Sequence, residues 1–183
     1  MLKKKKQDNL ILIYTGSGKG KTTAALGLAC RTLREKMKVL LIQFVKAENR
    51  SWEVSLKKIL PKLEVRCFGR GLTTKNQKLE IRKQEKQISG AGLKFAEQKI
   101  KSGQHQVIIL DEILVAYNLG LIKLNAIIKL IKLARQVKGK MFLVLTGRGC
   151  PKSLYAHADL VTEMKEIKHQ YKKGILAIKG IDF

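Results

Sequence analysis

Lys21 and Thr22 close a glycine-rich run, Thr15-Gly16-Ser17-Gly18-Lys19-Gly20-Lys21-Thr22-Thr23, whose residue types suit the holding of phosphate. Glycines let the backbone curl so that several N–H groups aim at one point, and a helix N-terminus behind them adds partial positive charge. Lys21 would bring a full charge to the terminal phosphates, and the Thr22 hydroxyl would bind the magnesium ion that accompanies them. Further along, Asp111 and Glu112 follow the aliphatic run Val107-Ile108-Ile109-Leu110. That is a Walker-B pattern, in which an acid at the carboxyl end of a strand holds the metal directly or through water. Arg148, in Thr146-Gly147-Arg148-Gly149, stands where a strand-edge loop reaches an anion. Plainer readings compete: a flexible turn in a lysine-rich chain, a buried strand that happens to end in carboxylates, and a surface arginine. An apolar run before the glycines and a helical one after them favour the phosphate site.

The register of the loop is unusual. A G-x-x-x-x-G-K-[ST] pattern ending at Gly20-Lys21-Thr22 requires its first glycine at position 15, but this chain has Thr15 there and a glycine at Gly16. The loop is therefore one residue tighter than in a common NTPase.

These side chains need elements to position them. Leu10-Ile11-Leu12-Ile13-Tyr14 predicts a strand, and the helix after the loop runs to about Lys36, with Leu26, Ala29, Cys30 and Leu33 on its buried face. The run from Val39 to Val45 predicts a strand buried on both faces, completing a right-handed βαβ unit. Residues 46–76 are irregular apart from a short strand over 63–68, and Trp52 and Phe68 read as packing residues. A helix over 77–101 follows, with Ile81, Ile88 and Phe95 repeating every seven, which reads as core packing rather than a coiled-coil face. Helical pieces over 113–117 and 124–137 flank Gly120, and Met141-Phe142-Leu143-Val144-Leu145 predicts another buried strand. Alternation over 159–164 and 174–180 predicts two final strands joined by a polar turn. The expected class is α/β, a three-layer P-loop NTPase (RecA-like) domain with a mostly parallel central sheet.

A length of 183 residues suits one compact domain, and the longest apolar runs are strand-sized rather than membrane-spanning. Residues 3–6 are all lysine, with no long apolar region after them to make a secretory signal. Cys30, Cys67 and Cys150 are odd in number and scattered, which fits reduced thiols and a cytoplasmic protein. His105, His157 and His169 are too dispersed for a metal cluster and read as surface or satisfied structural side chains. Lys plus Arg number 38 against 14 acids, a formal charge of +24, which invites a nucleic-acid or other anionic partner. Yet aromatics are only 5% and the lysines are spread everywhere, which favours a generally basic surface over a stacking platform for single strands.

Taken together the motifs resemble the P-loop type ATP:corrinoid adenosyltransferases. The resemblance rests on Thr15 to Ala25, Gln43-Phe44-Val45-Lys46, Ile109-Leu110-Asp111-Glu112 and Thr146-Gly147-Arg148-Gly149. It extends through Ala158-Asp159-Leu160-Val161-Thr162-Glu163-Met164, Lys168-His169 and the ending Lys179-Gly180-Ile181-Asp182-Phe183, and so covers almost the whole chain in order. The lysine-rich start reads as a basic flexible tail over 1–9, and the resemblance implies a single adenosyltransferase domain over 10–183. It also implies transfer of the 5′-deoxyadenosyl group of ATP to the cobalt(I) of a corrinoid, with release of tripolyphosphate, in adenosylcobalamin biosynthesis or salvage. ATP is then the cosubstrate, magnesium or manganese the metal and the corrinoid the substrate. The family holds ATP reversed along the loop, and no residue of the chain need be a nucleophile, because the corrinoid supplies it. Residue by residue, the resemblance assigns the phosphate cradle to Gly16, Ser17, Gly18, Lys19, Gly20, Lys21, Thr22 and Thr23, with Arg148 as a further anion contact. Lys21, Thr22 and Glu112 become the catalytic set, and Thr22 and Glu112 the metal ligands with Asp111 in support. It further implies a homodimer and, as a candidate partner for the basic surface, an acidic flavodoxin-type reductase; it implies no membrane.

Two other readings stay open: a basic RecA-like ATPase acting on nucleic acid, which would yield ADP, and a diverged module that binds without turnover. Lys21, Thr22 and Glu112 being intact weighs against the second. One departure from the family concerns the corrinoid. Where the family carries Gly-Phe-Thr-Trp against the lower corrinoid face, this chain has Gly71, Leu72, Thr73 and Thr74. Thr74 cannot replace an indole in size or desolvation, so corrinoids with a bulky lower base should be poorly activated. Introducing Leu72→Phe with Thr74→Trp is expected to raise activity from cob(II)alamin, and an unchanged rate would sink that reading.

Overall fold

Each central strand is apolar on both sides, and the side chains divide between two cores. In β2 (Val39–Gln43) every residue is buried. Leu40 and Ile42 enter one apolar cluster, whereas Val39 and Leu41 enter the other. The period of two in a strand makes that division obligatory, so layers of helix are needed on both faces. The computed structural model describes residues 9–71, 79–170, 174–178 and 180–181.

Six strands form one sheet in the order β3-β2-β4-β5-β1-β6, and every pairing is parallel. The others are β1 (Asn9–Thr15), β3 (Leu63–Cys67), β4 (Val107–Asp111), β5 (Met141–Thr146) and β6 (Leu160–Glu163). One face is covered by α2 (Leu79–Ser102), α3 (Ile113–Asn118) and α4 (Leu124–Gln136), through Ala96, Ile113, Leu130 and Ala134 among others. The opposite face is covered by α1 (Lys21–Arg34), through Ala25, Leu26 and Ala29. Because all strands run the same way, Thr15, Gln43, Asp111 and Thr146 end along one edge. The class expected from the sequence is the one observed.

Several boundaries and faces differ from expectation. β2 stops at Gln43, two residues short of the apolar run, since Phe44 and Val45 turn away to begin a loop. Cys30 is exposed; Ala25 takes its place beside the sheet, because the buried stripe of α1 is Lys21, Ala25, Leu26 and Ala29. In α2 the buried line is Glu85, Ser89, Gly92, Ala96 and Ile100, flanked by half-buried Ile81, Ile88 and Phe95. Gly92 explains the choice of face: an added Cβ there would lie 2.9 Å from the Phe68 side chain, so the smallest residue must point inward. Phe68 does pack, with its ring 5.4 Å from that of Phe95. No strand forms over residues 175–178, where Ile175, Leu176 and Ile178 are exposed. Alternation there describes an apolar surface rather than sheet pairing. Among the described residues no helix is long and apolar enough to cross a membrane.

The start of β1 is tied by one side chain. Asn9 Nδ2 donates to the carbonyls of Arg135 (3.2 Å) and Val137 (2.8 Å), and Asn9 Oδ1 accepts from Met141 N at 2.9 Å. It thereby closes the turn between α4 and β5 beneath the site. Asn9→Ala leaves these buried groups unmatched and is expected to lower stability by about 1–3 kcal/mol. A urea titration would show it as a lower midpoint at unchanged slope.

Candidate active site

The phosphate loop bridges β1 and α1, and its glycines have conformational reasons. Gly16 (φ 102°) and Gly20 (φ 109°) lie in the left-handed region. A Cβ on Gly16 would sit 2.3 Å from Met164 O. The loop leans on the exit of β6, with Met164 N donating to Thr15 O at 2.8 Å and Gly18 N to Met164 O at 2.7 Å. With Gly18 N engaged, the donors left for an anion come later, at the start of α1, where the first N–H groups have no partner within the helix. Lys21 is buried, and its Nζ donates to the carbonyls of Gly16 (2.9 Å) and Gly18 (2.6 Å). Burial pulls its pKa down, the Glu112 charge opposes that, and Arg148 adds to the lowering.

Asp111 is fully buried and its carboxylate is occupied. Oδ1 accepts from Thr22 Oγ1 at 2.8 Å and from Thr146 Oγ1 at 2.7 Å, while Oδ2 accepts from Gln43 Nε2 at 3.1 Å. Thr146 reaches it because β5 lies between β1 and β4. The same hydroxyl accepts from Glu112 N at 2.9 Å. Glu112 has φ 58°, a left-handed conformation that costs a non-glycine residue about 1–3 kcal/mol. Its carboxyl is pushed above the usual range by burial and then by the charge of Asp111, with Lys21 offsetting part of this.

The network continues away from the loop. The Ser51 hydroxyl lies between Gln43 Oε1 and Glu53 Oε2, able to give its proton to either, and Lys46 Nζ donates to Glu53 Oε1 at 2.5 Å. On the other side, Asn118 Nδ2 donates to the carbonyls of Arg148 (2.7 Å) and Gly149 (3.1 Å), fixing the turn after β5. An added Cβ on Gly147 would meet that of Leu114 at 2.8 Å, so this turn also needs a glycine.

Around these parts lies a cavity of about 520 Å³ lined by Gly18, Lys19, Gly20, Lys21, Thr22, Thr23, Lys46, Trp52, Glu53, Glu112, Arg148, His169, Gly180 and Ile181. Arg148 therefore stands at the cavity and not merely on the surface. Gly16 and Ser17 do not line it; they form the back of the loop. Trp52 is 44% exposed, so it is a wall of the cavity and not a packing residue. His169, also at the wall, was expected to be structural or superficial. Sequence reasoning missed Lys46, Glu53 and Gly180 as well, although Lys46 and Gly180 fall inside the stretches that carry the resemblance. His105 is structural but only half satisfied: it is buried, with Nε2 3.1 Å from Glu64 Oε2, while its buried Nδ1 has no hydrogen-bond partner among the described residues. Gly71 (φ 103°) donates its N–H to Val45 O at 2.9 Å and is not at the cavity; Leu72, Thr73 and Thr74 lie outside the described residues. Chemically, this is a basic cavity whose lining also includes Thr22 and Glu112, a hydroxyl and a carboxylate, fit for a polyphosphate and a hard cation.

A family described as "ATP:corrinoid adenosyltransferase BtuR/CobO/CobP" matches residues 7–183. The corrinoid adenosyltransferase of Pseudomonas aeruginosa is 32% identical over 95% of this chain and 83% of its own length. That of a Sinorhizobium species is 30% identical over 100% of this chain and 84% of its own. A similar match joins it to corrinoid adenosyltransferase CobA of Salmonella typhimurium, 30% identical over 95% of this chain and 85% of that protein. Among solved structures, flagellar accessory protein FlaH of Methanocaldococcus jannaschii superposes with a TM-score of 0.53 at 13% identity, covering 86% of this chain and 71% of that one. At that identity the likeness concerns the fold alone.

The tight contact of the loop with β6 can be tested directly. Gly16→Ala adds a Cβ that the Met164 carbonyl excludes. About 1–3 kcal/mol of strain in the bound loop corresponds to a roughly 5- to 150-fold loss of ATP affinity. Calorimetric titration would measure it, with a urea melt to separate it from unfolding.

Proposed function

The chain belongs to the ATP:corrinoid adenosyltransferase family, and on that premise we propose that its P-loop cavity holds the triphosphate of ATP as a leaving group. In this reaction a bond forms between the cobalt(I) of the corrinoid and C5′ of ATP, while the C5′–O5′ bond breaks and its electron pair leaves on tripolyphosphate. Negative charge therefore grows on the triphosphate, and the useful protein groups are those that meet it. Lys21, Arg148 and the N-terminus of α1 converge at the cavity, and this convergence carries the reading. Lys21 stands on two loop carbonyls and would transfer its donors from them to phosphate oxygens. Lys19 and Lys46 add positive charge at the rim.

Magnesium or manganese fits the same residues. Glu112 is a carboxylate raised by burial and by its acidic neighbour, so an added cation relieves both. Thr22 and Glu112 would hold the ion, and Asp111, saturated by Thr22, Thr146 and Gln43, would orient the Thr22 hydroxyl so that its lone pairs face outward. When bound, the metal supplies charge neutralisation on the leaving triphosphate. The remaining requirement is positioning: C5′ has to be presented to the corrinoid face while the phosphates stay fixed. Scattered reduced thiols support a cytoplasmic enzyme, and the similarity to the family supports a homodimer and an acidic reductase as electron donor.

Under anaerobic conditions, the purified protein with MgATP and cob(I)alamin is expected to form adenosylated corrinoid and tripolyphosphate in equal amounts. ADP and phosphate without alkylation would overturn the assignment and favour a hydrolase. Lys21→Met is expected to lower kcat by about 10²–10³-fold, the usual loss for one charge-stabilising donor.

A further inference from the structure

Trp52 is the single tryptophan of the chain, yet the fold leaves 44% of it exposed. Its two neighbours behave in the opposite way. Ser51 is 7% exposed and Glu53 is 0% exposed, each tied into the hydrogen-bonded chain that begins at Thr22. Ser55 Oγ donates to Trp52 O at 2.6 Å, closing the 3-10 turn Trp52–Lys58 that starts at this residue. The backbone is thus clamped on both sides while Trp52 lines the cavity, as Lys46 does. Among the described residues lining that cavity, Trp52 carries the only large aromatic surface.

We propose that Trp52 is the stacking platform for the purine base of the nucleotide whose phosphates occupy the loop. This rests on the reading that ATP fills the cavity. An indole on a fixed backbone offers a broad flat face and loses few rotamers on binding, which suits it to stacking on a conjugated ring. The cavity, at about 520 Å³, is the size of a small-molecule site, whereas a corrin with its side chains would have to lie across the mouth. Base on Trp52 and phosphates on Lys21 and Thr22 hold the nucleotide at both ends. Because Ser51, Gln43, Asp111 and Thr22 are joined by hydrogen bonds, both ends rest on one frame, and C5′ lies between them. Stacking reads a ring and not its edge, so purines should be preferred over pyrimidines without strong choice among purines.

Because Trp52 is the single tryptophan beside four tyrosines, emission excited at the red edge, where tyrosine does not absorb, reports Trp52, and titration with MgATP, MgCTP and magnesium tripolyphosphate reads the contact. ATP is expected to quench strongly, CTP weakly and tripolyphosphate hardly at all. Trp52→Ala should raise KM for ATP by roughly 5- to 150-fold, more than it lowers kcat, with tripolyphosphate affinity unchanged, and Trp52→Phe should recover most of the loss. Equal quenching by tripolyphosphate, an unaltered KM for ATP in Trp52→Ala, or a rise in KM for the corrinoid instead would each overturn the platform. Binding and turnover fail separately: quenching by ATP without adenosyl transfer would overturn the proposed function alone, and normal transfer without quenching would overturn the platform alone.

Discussion

The bond between Thr22 Oγ1 and Asp111 Oδ1, 2.8 Å long, joins the two halves of the site. One partner begins α1 and the other ends β4, and β5 lies between β4 and β1. A fully buried carboxylate is tolerable only where donors surround it, and here three side chains do so from three different elements. That requirement sets the relative height of the phosphate loop, the end of β5 and the end of β2. It also divides labour between adjacent acids. Asp111 is enclosed and holds others in place, whereas Glu112 turns out through a strained backbone and faces the cavity.

Electrostatics follow from this arrangement. Two neighbouring carboxylates at a strand end repel, and Glu112 is pushed up in consequence of burial and of Asp111. The opposing charges are Lys21, Arg148 and, further out, Lys19 and Lys46. Lys21 is itself buried, and two loop carbonyls hold its ammonium group. A polyphosphate with its metal would satisfy both sets together: anionic oxygens for the cations, a divalent ion for Glu112. The excess of +24 over the whole surface adds a long-range attraction for anions but does not itself choose among them.

The rim of the site was harder to read than its floor. Arg148 and Glu112 sit on strand ends next to motifs, so pattern alone brought them near the loop. Trp52 and Glu53 lie in an irregular stretch whose placement depends on a buried chain through Ser51 and Gln43. His169, Gly180 and Ile181 come from the far end of the chain and reach the cavity beyond β6. Periodicity carries no information about such convergence, because it reports which face of an element is apolar and not what stands opposite. The same limit explains α2, where the seven-residue spacing of Ile81, Ile88 and Phe95 suggested the inner face. The inner face went instead to Gly92 and Ala96, since close approach to Phe68 and Phe44 leaves room only for small groups.

By itself the sequence determined the parallel α/β architecture, the phosphate loop and the acidic strand end. These are local properties: aliphatic runs bury on two faces, and Gly16 and Gly20 permit a left-handed backbone that side chains resist. Even the one-residue tightening of the loop was visible in spacing. Only the tertiary structure decided why Gly16 must stand where it does, against the carbonyl of Met164 just past a strand distant in sequence. It also decided that Asp111 is saturated by donors from α1, β5 and β2, and that the one tryptophan faces the cavity and not the core. Those outcomes depend on strand order and on which groups must be satisfied once water is excluded, and neither is written in any single stretch of the chain.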